Sequence, residues 1–246
     1  MNTTLLCVLF ISFIAALVRS TLGFGESLIA VPLFLLFLPL TVAVPLSVMM
    51  SILIALIIVI QDRRSIHFQS AKWLVFYAIL GIPFGLLLLL YGNATWVKCC
   101  LGLLIITYAG YSLMHNTKKL PKIRDKRLRF FCGFLSGILG GAYGLNGPPL
   151  VIYGHLNRWS AKRFRATLQA YFLPASFVGF IGYFLKGLVT TEVNYYFGWS
   201  LLTVIPAVFL GRWLNRKLNN QSFFKYVYIG LVIIGFMLIL NTLNPN

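Results

Sequence analysis

Long runs of apolar sequence limit this chain before anything else does. Residues 74–90, 96–114 and 223–240 are almost uninterrupted by charge. Each approaches the roughly 20 residues that an α-helix needs to cross a bilayer. Over 246 residues, 59% are hydrophobic and 10% charged, more apolar surface than a soluble domain of this length can bury in one core. The runs are continuous rather than alternating, which excludes a membrane β-barrel. The expected fold class is all-α, a polytopic helical membrane protein. The first run, 5–18, has no Lys or Arg before Arg19; it lacks the basic start of a signal peptide and reads as a retained helix. Cys7, Cys99, Cys100 and Cys132 lie in or beside apolar runs with no CxxC spacing, so they read as packing residues, and no metal or cofactor is expected.

A net charge of +17 first suggests nucleic acid, but its distribution points elsewhere. All basic residues except Arg19, Lys98 and Lys186 fall in four clusters, around Arg63–Lys72, Lys118–Arg129, Arg158–Arg165 and Arg212–Lys225. The other connections carry almost none. By the positive-inside rule the four clusters are cytoplasmic, and contact with anionic lipid follows from them. Threading the chain through these anchors gives spans at 43–61, 73–91, 96–114, 163–186, 194–212 and 222–242, with both termini outside, in what is expected to be a bacterial inner membrane.

Ahead of each trio of spans lies an irregular apolar region, 4–38 in one half and 129–157 in the other. Glycine and proline interrupt both, in "LGFGESLIAVP" and in "GGAYGLNGPPLVIYG". The pieces after the interruptions, 27–38 and 149–155, are too short to span. Each half is therefore a broken or re-entrant helix pair followed by three spans. The expected layout is a first repeat at 1–116, a basic linker at 117–128 and a second repeat at 129–246, inverted relative to the first. Pro83 and Gly85 answer Pro206 and Gly211. Inverted repeats with paired broken segments are the sequence pointer to a secondary transporter.

Irregular backbone in a membrane is tolerated where protein or a watery cavity satisfies it. Half-helix N-termini at the breaks, near Glu26–Ser27 and near Asn146–Gly147, would present free amides and partial positive charge to an anion. Gly23, Gly25, Gly144 and Gly147 would shape the backbone there. Gly133, Gly137 and Gly141 form a small-residue ladder for close helix packing. Only four acids occur in the chain. Glu26, alone among the glycines, has three readings: an N-terminal acid favoured by its half-helix dipole, a protonatable group that couples protons to anions, or a partner for Arg19, seven residues back, which with Arg165 would otherwise offer positive charge to the anion. Arg165 is either a snorkelling anchor or a residue that gathers anions at the cytoplasmic mouth. Gln169, one turn deeper, could line the path or pack against a neighbouring helix. His155 reads as interfacial, and Tyr153 either as interfacial or as a hydroxyl offered to a substrate. No GxSxG, HExxH or P-loop occurs, so no enzyme chemistry is expected.

"GFGESLIAVPLF", together with "GFLSGILGGAYGLNGPPLVIYG…FRATLQAYF", resembles the TauE/SafE family of sulfite and organosulfonate exporters over nearly the whole chain. The resemblance implies a multi-pass inner-membrane transporter that moves small oxidised sulfur anions out of the cytoplasm. Glu26 and Ser27 stand where such proteins often carry further glycines. Set beside this reading are an uptake carrier for another small solute, and a non-transporting scaffold or accessory subunit. A scaffold has no need to bring Glu26 and Asn146 together.

Overall fold

The computed structural model describes residues 3–91 and 125–217, with scattered helical positions between 103 and 113 and between 225 and 240. Most of the expected spans at 96–114 and 222–242, and the linker before residue 125, lie outside the described residues. Eight α-helices are described: α1 (Thr3–Leu22), α2 (Glu26–Phe34), α3 (Leu40–Asp62), α4 (Phe68–Tyr91), α5 (Lys126–Tyr143), α6 (Gly147–Leu156), α7 (Ala161–Leu185) and α8 (Thr191–Lys217). No strand occurs among the described residues. The helices at Thr3–Leu22, Leu40–Ser65, Phe68–Leu88, Ala161–Leu185 and Thr191–Lys217 are long and apolar enough to cross a membrane. At about 1.5 Å per residue, α2 and α6, with 9 and 10 residues, reach about half of a roughly 30 Å hydrocarbon core.

Helix limits follow local chemistry. Asp125 and Ser160 cap α5 and α7, accepting from the amides of Arg127 at 2.8 Å and Arg163 at 3.4 Å, which satisfies otherwise orphaned donors. Gly144 ends α5 in the left-handed region (φ 70°). Its N–H reaches the Gly140 carbonyl at 2.9 Å, the bond of an αL closure, and that of Leu145 reaches the Leu139 carbonyl at 3.1 Å. At the end of α1, Gly23 (φ 88°) donates to the Arg19 carbonyl at 2.6 Å.

Packing is reciprocal between the two halves. α1 lies along α8 and α4 along α5; α3 and α7 meet each other, and each also touches the fourth helix of the opposite half, α8 or α4. The glycine ladder is what lets α4 and α5 touch. A Cβ at Gly133 would stand 3.0 Å from the Leu74 carbonyl oxygen, and one at Gly137 or Gly141 would strike the carbonyls of Ala78 or Ile82. From the other side, Gly81 and Gly85 face the backbones of Phe134 and Ile138. Small residues on both faces bring backbones together, the usual device of helix association in lipid. The polarity of the molecule is that of a membrane protein. Arg19, Glu26, Arg165 and Gln169 are buried, whereas Phe10, Phe76, Phe84, Leu202, Phe209 and Trp213 are exposed.

Candidate functional site

Both interruptions close on one small cavity. Phe24, Gly25, Glu26, Ser27 and Leu28 line it from the first, and Gly144, Leu145, Asn146 and Gly147 from the second, with Arg19, Ser51 and Phe172 completing the wall. Its volume is about 10 Å³, room for about one water molecule. Gly147 packs on Phe24, where a Cβ would lie 3.1 Å from the ring, and Gly144 lies against the Ser27 side chain. The tips of α2 and α6 therefore meet. α2 starts at Glu26 and α6 at Gly147, within a residue of the starts expected from the sequence.

The first tip is built around a buried ion pair. Arg19 Nη1 donates to Glu26 Oε2 at 2.9 Å and to Ser51 Oγ at 2.6 Å. Its Nε and Nη2 both donate to Gln169 Oε1, at 3.1 and 3.0 Å, and its guanidinium lies over the Phe172 ring, 4.6 Å from the centroid. Glu26 also accepts from Ser27 Oγ at 3.0 Å and from Ser47 Oγ at 2.7 Å. With side chains 3% and 0% exposed, the two charges cancel out of reach of water. At the first position of α2, the Glu26 carboxylate also opposes the positive end of that helix. The amides of Gly25, Glu26, Ser27 and Leu28 have no carbonyl one turn back to bond, the ordinary state of a helix start.

The second tip carries no ionised side chain. Ser136 Oγ donates to the Asn146 carbonyl at 2.5 Å and accepts from Tyr171 at 2.9 Å. The Tyr183 hydroxyl donates to the Gly141 carbonyl at 2.8 Å. Asn146 Oδ1 is buried without a hydrogen-bond partner among the described residues and occupies the space a side chain at Gly140 would need. Pro148 and Pro149 fill the first turn of α6 and supply no N–H, so this tip presents fewer amides than the first.

Between the tips and the basic face lies a second charged cluster. Arg165 is 1% exposed, not snorkelling at a surface. Its backbone packs so closely on the first break that a Cβ at Gly23 would stand 2.9 Å from the Arg165 Cα. The guanidinium donates to the Ser20 carbonyl at 2.6 Å and pairs with Asp62, and Arg212 pairs with the other Asp62 oxygen at 3.4 Å. Gln169 Nε2 donates to the Gly23 carbonyl at 2.8 Å, and Asn215 to that of Thr21 at 2.7 Å. Side chains of α7 and α8 thus satisfy the last carbonyls of α1, which its own helix leaves open. Beyond Arg165 a vestibule of about 530 Å³ opens, lined by charged residues of three helix ends.

Every candidate residue named from the sequence falls within this system: Arg19, Gly25, Glu26, Ser27, Gly144, Asn146 and Gly147 on the cavity, and Gly23, Arg165 and Gln169 in the bonded layer beside it. Tyr153 does not line the cavity. It is 2% exposed, and its hydroxyl accepts from Arg129 Nε at 3.2 Å, away from the cavity. Ser47, Ser51, Asp62, Phe172 and Arg212 also join the site. Ser47 and Ser51, four apart in an apolar helix, carried a legible signal of one polar stripe.

These features define an all-helical, multi-pass membrane protein with two interrupted helix pairs joined tip to tip. A family model, Sulfite exporter TauE/SafE, matches residues 8–238, and the chain belongs to that family. Comparison with curated proteins and with solved structures found no match.

Proposed function

We propose that the protein is a secondary transporter of small anions that exports sulfite or organosulfonates across the bacterial inner membrane. The carrying observation is the convergence of two helix N-termini, at Glu26 and at Gly147, on one cavity. With the Arg19–Glu26 pair self-neutralised, the remaining local field is that of aligned amides, which favours an anion. The family to which the chain belongs is described as a sulfite exporter. The basic clusters support a cytoplasmic vestibule by the positive-inside rule, the side from which an exporter loads. The reciprocal packing of α1 with α8 and of α4 with α5 supports inverted repeats over 1–116 and 129–246.

A cavity with room for about one water molecule is too small for sulfite, so this arrangement is a closed one. Loading requires the first tip to part from Arg165 and Gln169, whose bonds to Ser20 and Gly23 hold it. Proton coupling fits the same movement. Glu26 becomes reachable by a proton once Arg19 turns away, and a neutral Glu26 removes the repulsion that a carboxylate exerts on an arriving anion.

The test is flux of labelled sulfite, sulfate, thiosulfate and sulfonates into proteoliposomes under an imposed proton gradient. Sulfite or a sulfonate is expected to move well above empty liposomes. Absence of flux for all four overturns the reading. Loss of the gradient's effect in Glu26→Gln, with residual flux, supports coupling at that residue.

A further inference from the structure

We propose that the vestibule is itself a binding site for a small free oxyanion, distinct from the tip cavity, and that Asp62 is the internal anion which this ligand displaces. Arg63, Arg64, Lys162, Arg165, Arg212 and Arg216 line the vestibule, and Asp62 is the only acid among the described residues that line it. Six cations around one carboxylate leave a strong positive field in a partly enclosed space, where low-dielectric walls focus it. At about 530 Å³ the space admits an oxyanion with part of its hydration shell. The wall also holds unused hydrogen-bonding groups: Arg212 Nε and both amide atoms of Gln61 are buried without a partner among the described residues.

Asp62 shows which ligand chemistry fits. Its two oxygens are divided between Arg165 on Oδ2 and Arg212 on Oδ1. Two guanidinium groups on adjacent oxygens of one anion are the geometry that sulfite, a sulfonate or a phosphate group accepts with charge-assisted bonds. Arg165 also holds the Ser20 carbonyl at the end of α1, so an anion that takes Arg165 from Asp62 acts on the residue that pins the first break. The site rests on the transporter reading only for the choice of sulfite as probe. An anionic lipid headgroup offers the same chemistry, and the proposal commits to the free ion because ten of the twelve described residues that line the vestibule are polar or charged, Ile60 and Ala161 being the exceptions.

The experiment is calorimetric titration of sodium sulfite into the purified full-length protein in an uncharged detergent. Saturable binding is expected. Asp62→Asn is expected to bind about tenfold more tightly, because a competing charge a few ångströms away is removed. The double variant Lys162→Gln/Arg216→Gln is expected to bind about tenfold more weakly. Both of its positions are exposed, so it reports even where Asp62→Asn does not fold. Unchanged affinity in the double variant, or weaker binding in a folded Asp62→Asn, overturns the site. Asn146→Leu separates the two readings, since it is expected to lose flux while retaining vestibule binding; loss of vestibule binding in that variant overturns the distinction from the tip cavity. Repeating the titration in nanodiscs separates the ligand sources. Equal sulfite affinity in zwitterionic and anionic lipid supports a free-ion site, and loss of binding in anionic lipid assigns the vestibule to a headgroup and overturns the proposal.

Discussion

The two interruptions do the same geometric task with different chemistry. At the first, α1 carries Arg19 in its last turn, α2 begins with Glu26, and the pair is locked by Ser27, Ser47, Ser51 and Gln169. At the second, α5 presents Gly140 and α6 begins with Gly147, and the side-chain oxygen of Asn146 has no partner among the described residues. One tip is closed by bonds and the other is left open in its bonding. The comparison teaches that the first tip is the half built to be held, and the second the half with capacity to spare for a ligand. It also separates stability from transport, because the same substitution strategy should have opposite outcomes at the two tips.

On stability, the largest effect is expected at the ion pair. Arg19→Met leaves Glu26 buried without its cation, and breaking a buried pair costs about 3–5 kcal/mol. Thermal unfolding in detergent should show a large loss for Arg19→Met and for Glu26→Leu separately. The double variant should recover much of it, since an apolar pair in place of a buried ion pair is often neutral. If the single losses simply add, the pair is not coupled and the contrast between the tips fails.

Next in size is a glycine comparison. Gly23 and Gly144 both adopt positive φ, 88° and 70°, where a Cβ costs roughly 1–2 kcal/mol. Gly23 also lies on the Arg165 backbone, while a Cβ at Gly144 would make only ordinary contacts, at 3.5 Å from Ser27 Oγ. Gly23→Ala is therefore expected to lose more stability than Gly144→Ala in the same melt, and to loosen the layer that Arg165 forms. Equal losses would mean that Arg165 can move aside at no cost, and that the first tip is less firmly held than its bonds suggest.

Asn146→Leu reverses the pattern. The Oδ1 atom contributes no hydrogen bond, and a side chain of similar size replaces it, so the stability change should stay within about 1 kcal/mol. Flux in proteoliposomes should nonetheless fall to background. Unaltered flux would remove the second tip from the transport path and leave only the first.

What could be read in advance divides along the same line. Glycine and proline inside apolar runs are local signals, and they located α2 and α6 closely. The Arg19–Glu26 pair stood as one of three readings, because two charges seven residues apart across a break can meet only if the chain folds back there. Nothing local says so. The vestibule was less legible still. Asp62, Arg165 and Arg212 come from α3, α7 and α8, and a basic stretch before a span looks the same whether its arginine faces headgroups or the interior. Arg165 is buried because Gly23, far away in sequence, lets α7 lie directly on the end of α1.

The smallest effect is expected where charge is abundant and unbonded. Arg127 sits in the first turn of α5, exposed, with its amide rather than its guanidinium held by Asp125. A cation at a helix start gains nothing from the helix field, and Lys126 and Arg129 stand beside it to keep this end of α5 positive. Arg127→Ala should therefore change stability by no more than about 0.5 kcal/mol and leave insertion and flux as they were. Arg165→Ala removes the same kind of charge from the same face of the protein, yet it deprives Asp62 of one of its two partners and the Ser20 carbonyl of its donor. A pair of variants that behaved alike in flux and melting would mean that net charge alone matters on this face. A wide gap between them ties the effect to the bonded layer that holds the first tip.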